Sequence, residues 1–189
     1  MKRYGLLVLS WMVVSCFASA VSLGQTPLLR QLAKEDQDSR MGKHVERTDD
    51  ERVKIVLEYV AEGTLKGPED QFDAALILQH TPLKTCGKQL VSESADNYLI
   101  AHYLFISAYA GGDKDALFLI AASMDRYLWL TEGYQKYGTN RVFNDATGEE
   151  EWVPIDRKTT DSERAKYGVP PLAELLKQYA EEVAEKKAP

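Results

Sequence analysis

The residues with the widest chemical range stand at Asp125-Arg126 and, a short way on, in Gly133-Tyr134-Gln135-Lys136-Tyr137-Gly138-Thr139-Asn140. A carboxylate can act as general acid or base, and a guanidinium can hold developing negative charge. The amides and hydroxyl of Gln135, Thr139 and Asn140 can bind either backbone or a ligand. Neighbouring helical residues point about 100° apart, so Asp125 and Arg126 cannot face one another and each needs its own partner. Two histidines come from elsewhere in the chain. His102 recurs at helical spacing with Tyr98, Phe105 and Tyr109, and His80 closes an apolar helical run.

Two function classes follow. The preferred one is a binding or scaffold module: the loop at 133–141, with Gln135, Tyr137, Thr139 and Asn140 as ligand-binding candidates, forms a groove with the aromatic face of His102 for a protein, peptide or small ligand. The alternative is a hydrolase-like enzyme, with His80 or His102 as base, Asp125 orienting it, and Arg126 or the loop stabilising negative charge. Each residue also has a packing role open to it. His102 can be a core histidine bonded to a tyrosine or to backbone, and His80 can cap helix-end carbonyls. Asp125 and Arg126 can sit in ion pairs, and the loop can simply brace the bundle. His44, near Lys43 and Arg47, has no evident role. No zinc-binding His-Glu-x-x-His helix, phosphate-binding glycine loop, nucleophile elbow or dinucleotide fingerprint is present, so neither a metal nor a cofactor is expected.

The elements that must carry these residues are mostly helices. Thr26-Pro27 reads as an N-cap followed by proline in the first helical turn. Thr48 and Glu51 have capping-box spacing ahead of Val53, Val56, Leu57 and Val60. Gly67-Pro68-Glu69-Asp70 opens a third helix that stops near Thr81-Pro82. A loop around Cys86-Gly87 follows, and a fourth helix runs from about Asn97 to Ala110. Gly111-Gly112-Asp113 turns the chain into a fifth helix that ends at Gly133, making an αα-hairpin. Residues 142–155 read as a short β-hairpin, Asp161–Arg164 as a brief helix ended by Gly168, and Pro170-Pro171 introduces the last helix. The expected fold is mainly α: stacked αα-hairpins of about six helices, with one short β-hairpin before the C-terminal helix.

Lys2 and Arg3 ahead of an apolar Leu6–Val14 run read as an export signal over 1–20, too short to span a bilayer. Ala18-Ser19-Ala20 offers ordinary cleavage, Ser22-Leu23-Gly24 a second register, and Val13-Val14-Ser15-Cys16 a lipobox that would lipidate Cys16. The protein is thus expected to be periplasmic or extracellular, and membrane-anchored only if Cys16 is lipidated. A linker-bearing first helix over 21–47 precedes the domain at 48–189. With cleavage at Ala20 only Cys86 remains, so a packed core must replace a disulfide. Cys86 is expected as a half-buried spectator, or else a reactive thiol. The net charge of −6 and the lack of a basic patch argue against a nucleic-acid partner.

Several segments together resemble a known family. They are Asp36-Gln37-Asp38 with Arg40, Ala74-Ala75 to Gln79-His80, Tyr98 to Ala101-His102, Asp125-Arg126-Tyr127-Leu128, Gly133 to Asn140, and Arg164 to Leu172. The pattern is similar to that of bacterial, often exported, helical proteins carrying Asp-Arg-x-Leu, then Gly-x-x-Gln-x-Tyr-Gly-Thr-Gln, a domain of unknown function. This chain departs from it at Asn140, where the pattern has glutamine. The resemblance implies a mostly helical fold and bacterial origin, and no activity.

Overall fold

The computed structural model describes residues 26–86, 89–144 and 149–186. The export signal, Cys16 and both cleavage registers lie outside the described residues, as does the turn expected near 145–148. In chain order the elements are α1 (Pro27–Arg40), α2 (Asp49–Ala61), α3 (Pro68–Gln79), β1 (Leu83–Cys86), β2 (Gln89–Ser92), α4 (Asp96–Ala110), α5 (Ala116–Glu132), β3 (Arg141–Asn144), β4 (Glu149–Trp152), α6 (Asp161–Ala165) and α7 (Leu172–Lys186). The fold is mainly α, with seven helices among the described residues rather than about six.

Local chemistry sets most boundaries. Thr48 and Glu51 form the reciprocal capping box that opens α2, and Thr160 with Glu163 does the same for α6. Gly133 ends α5 at φ 79°, a left-handed conformation that glycine adopts without penalty. Thr26 departs from expectation. Its side chain does not cap α1; its hydroxyl donates to Asp70 Oδ2 at 2.6 Å and its backbone N–H to Asp70 Oδ1 at 2.7 Å. The buried Asp70 carboxylate, which also accepts from Lys66 N, thereby fastens the start of α1 to α3.

The core gathers around α3, which packs on α4, α1 and α2, while α5 packs on α4. Leu29 and Leu32 from α1, Val53 and Val56 from α2, Ala74, Ala75, Ile77 and Leu78 from α3, and Ala101, Phe105 and Ala108 from α4 are all buried together. Small side chains let these helices approach closely. At the end of α4 the fit is tight enough that a Cβ on Gly111 would fall 2.9 Å from Pro68 Cβ. A second, smaller cluster of Ala121, Tyr137 and Val169 seats the segment after α5.

Both strand pairs are antiparallel. The later one, with Arg141 opposite Trp152, matches the expected hairpin. The earlier one, with Leu83 opposite Ser92 and Cys86 opposite Gln89, replaces the expected loop. Pro82 ahead of it and Cys86-Gly87 within it read as loop signals that outweigh the short apolar runs. Cys86 lies exposed there, not half-buried. No helix among the described residues is long and apolar enough to cross a membrane.

Candidate functional site

Asp125, wholly buried on α5, spends its carboxylate on the loop that follows. Oδ1 accepts from Lys136 N and Tyr137 N, both at 2.7 Å. Oδ2 accepts from Gly138 N at 2.9 Å, Thr139 N at 3.0 Å and Thr139 Oγ1 at 2.8 Å. Burial pushes this carboxyl above its ordinary range, and the hydrogen bonds from Tyr137, Thr139 and Lys136 offset only part of that. Gln135, also wholly buried, closes the loop from inside. Its Nε2 donates to Asn140 O and Val153 O, and its Oε1 accepts from Asn140 N, each at 2.8 Å. Arg164 reaches in from α6 to donate to Tyr137 O at 3.0 Å. The Asp125 carboxylate and the Gln135 amide are therefore committed mainly to the loop's own backbone, which is what a buried irregular segment requires.

His102 is likewise turned inward. Its Nδ1 donates to Ile120 O at 2.8 Å across the α4–α5 interface, and burial holds the imidazole below its ordinary pKa. It meets neither Asp125 nor the loop through any hydrogen bond. Of the residues singled out from sequence, the structure joins Asp125 to Tyr137 and Thr139 and Gln135 to Asn140 within the loop, and brings His80 and Arg126 to one cavity wall, with Asn140 behind the latter.

His80 and Arg126 line one cavity of about 500 Å³, together with Arg40, Asp49, Thr81, Pro82 and Leu83. Fold geometry assembles it from helix ends. Arg40 is the last residue of α1, Asp49 the first of α2, and His80 follows the last of α3, so the Arg40 and Asp49 charges sit where their helix dipoles favour them. Asp36, only 1% exposed, lies one helical turn before Arg40 and orients the histidine: its Oδ2 accepts from His80 Nδ1 at 2.6 Å. Gln37 Nε2 donates to the same oxygen at 2.9 Å, and Arg40 Nη2 to Oδ1 at 3.3 Å. Burial alone would raise the Asp36 carboxyl, but the hydrogen bond and charge of His80, with Arg40, leave it below its ordinary value. Because a carboxylate only accepts, Nδ1 carries the proton, and Nε2 is the nitrogen free to accept one.

The cations of the cavity are unequally matched. Arg40 donates to Asp49 Oδ2 at 2.7 Å besides Asp36, and Arg52 also pairs with Asp49. Arg126 has no carboxylate partner among the described residues. It donates to Gln79 O at 3.0 Å and to Asn140 Oδ1 at 3.5 Å, and its guanidinium lies 5.9 Å from the Tyr98 ring centroid. Its Nε is buried without a hydrogen-bond partner, as is Oε1 of neighbouring Gln79. Burial depresses the Arg126 guanidinium; Tyr98 offsets part of that, and the like charge of Arg40 adds to it. Asp36 and Asp49 thus pair with Arg40 and Arg52, and Arg126 is left without a counter-charge among the described residues.

Asp36, Arg40 and Asp49 carried no role in the sequence reading. The available signal was the i, i+4 spacing of Asp36 and Arg40, which marks one helix face but not what that face meets. Among the described residues, no three His, Cys, Asp or Glu side chains come together in a way that could hold a metal. No protein-family model, curated protein or solved structure matches the chain.

Proposed function

We propose that this domain binds a small anionic ligand, a carboxylate by preference, in the cavity between Arg40, His80 and Arg126. The observation that carries the reading is Arg126. Arg126 is half-buried, and holding a guanidinium partly out of water without a counter-charge is unfavourable; charged groups perturbed in this way cluster at sites where a ligand supplies the missing partner. A guanidinium offers five N–H donors in a planar fork matched to carboxylate geometry, and among the described residues protein groups accept from only two of those on Arg126. The loop at 133–141 enters this reading as a support, since Asn140 Oδ1 steadies Arg126. The export-like N-terminal residues add that such a ligand is met outside the cytoplasm.

Isothermal titration with malonate, acetate, inorganic phosphate and the neutral malonamide tests this. Saturable binding of the carboxylates, weakened about 10- to 100-fold in Arg126→Gln, is expected from the loss of charge-assisted hydrogen bonds. Equal binding of malonamide, or unchanged affinity in Arg126→Gln, would overturn it.

A further inference from the structure

We infer that the cavity is also hydrolytic: His80, oriented by Asp36, acts as general base toward water on a small ester that carries a carboxylate. The inference rests on the anion-binding reading and adds a reaction to it. Three observations lead there. Asp36 fixes the His80 tautomer at 2.6 Å, and no described residue bonds to Nε2. His80 is 23% exposed at the cavity while Asp36 is 1% exposed, so the imidazole meets solvent and its carboxylate does not. Among the described residues the cavity has no free side-chain nucleophile. Their one hydroxyl on its wall, Thr81 Oγ1, donates to Leu78 O at 2.8 Å and accepts from Asn97 Nδ2 at 3.0 Å. Water is therefore the nucleophile that this site can activate.

The step balances without a co-reactant. Nε2 takes a proton from water as the water oxygen bonds to the acyl carbon, and the carbonyl electron pair moves onto its oxygen. Collapse of that oxyanion breaks the bond to the leaving alkoxide, which recovers the proton from Nε2. The products are a carboxylic acid and an alcohol. Arg126 holds the carboxylate of the substrate, and Arg40, fixed by Asp36 and Asp49, supplies positive charge for the oxyanion. Hydrolysis fits this open wall better than proton abstraction from carbon, which calls for a site closed to water. Asp36 is a positioning residue here, since it acts only through His80.

The test uses the mono-4-nitrophenyl ester of succinate beside neutral 4-nitrophenyl acetate, on the chain purified as it folds. Acceleration of the anionic ester over buffer is expected, with kcat reduced about 10²-fold or more in His80→Gln. Arg126→Gln should raise KM for the succinate ester alone, and Asp36→Asn should lower kcat with KM little changed and displace the pH profile. His80→Gln lies at a partly exposed position, so its thermal midpoint separates lost chemistry from lost fold. No acceleration by wild-type protein that still binds malonate would sink the hydrolytic inference and leave anion binding standing. Loss of both would sink both, and full activity in His80→Gln would overturn the role of the imidazole.

Discussion

Asp36 and His80 lie 44 positions apart in the chain, yet Asp36 Oδ2 meets His80 Nδ1 at 2.6 Å where the C-terminal ends of α1 and α3 converge. The pair joins two helices and sets one imidazole tautomer at a cavity wall. Its carboxyl is held below the ordinary value, so the folded pKa is depressed relative to the unfolded one of about 3.9. The stabilisation is then present above that unfolded value and is lost as pH falls through the lower folded one. Acid titration followed by far-ultraviolet dichroism should show a shallower acid limb in Asp36→Asn than in wild type. An identical limb would mean that the pair contributes nothing to folding.

His102 carries the opposite kind of linkage. Burial lowers its folded pKa below the unfolded value of about 6.5, so the unfolded chain binds the proton more readily. The sign follows: stability is level above about pH 6.5 and declines as pH falls below it toward the folded value. Gln at this position can donate to Ile120 O without titrating. Urea unfolding at pH 7.5 and pH 5.5 should give His102→Gln the smaller drop in stability.

The loop after α5 is a folding element, and the thermal midpoint should say so. A loop that served only to bind a ligand would leave that midpoint nearly unchanged when Gln135 and Thr139 became alanine. The three buried hydrogen bonds of Gln135 predict otherwise: Gln135→Ala strands Asn140 N and two carbonyls, at about 1–3 kcal/mol for an unsatisfied group. Asp125→Ala, which frees four backbone N–H groups at once, should cost more. Thr139→Ala removes one hydroxyl contact and should cost least. Calorimetry that ranked these three in another order would contradict this account of the loop.

Gly138 has φ 92°, and a Cβ there would lie 3.3 Å from Leu175 Cδ1 and 3.4 Å from Ile155 Cδ1. Alanine meets both backbone strain and crowding, for a loss of about 1–3 kcal/mol. An unchanged urea midpoint in Gly138→Ala would show that α7 and Ile155 yield freely.

Much of the scaffold was legible in the chain because its signals are local. Thr48 with Glu51, Gly133 after α5, and Gly111-Gly112-Asp113 between α4 and α5 each act within one or two turns. The strands around Cys86 were not legible, since Pro82 and Cys86-Gly87 carry the local signals of a loop. The site divides in the same way. His80 and Arg126 stood out by residue type, but Asp36 and Arg40 look like an ordinary helix-surface pair until α3 is packed on α1. Asp125 and Gln135 looked functional because a polar, glycine-bearing loop has the same composition whether its groups bind ligand or its own backbone. Only packing separates those cases, and here Val153, Asn140 and the loop amides occupy every acceptor and donor they offer.

The uncompensated charge at Arg126 is the central claim, and thermal unfolding of Arg126→Met beside wild type, with and without malonate at constant ionic strength, tests it most directly. A cation kept for a ligand costs stability until the ligand arrives. The predicted result is a wild-type midpoint that rises with malonate, by about 2.7 kcal/mol of stabilisation at a hundredfold excess over Kd, and an Arg126→Met midpoint that starts at or above wild type and does not respond. An Arg126→Met protein that melts well below wild type, or that still responds to malonate, would contradict the account.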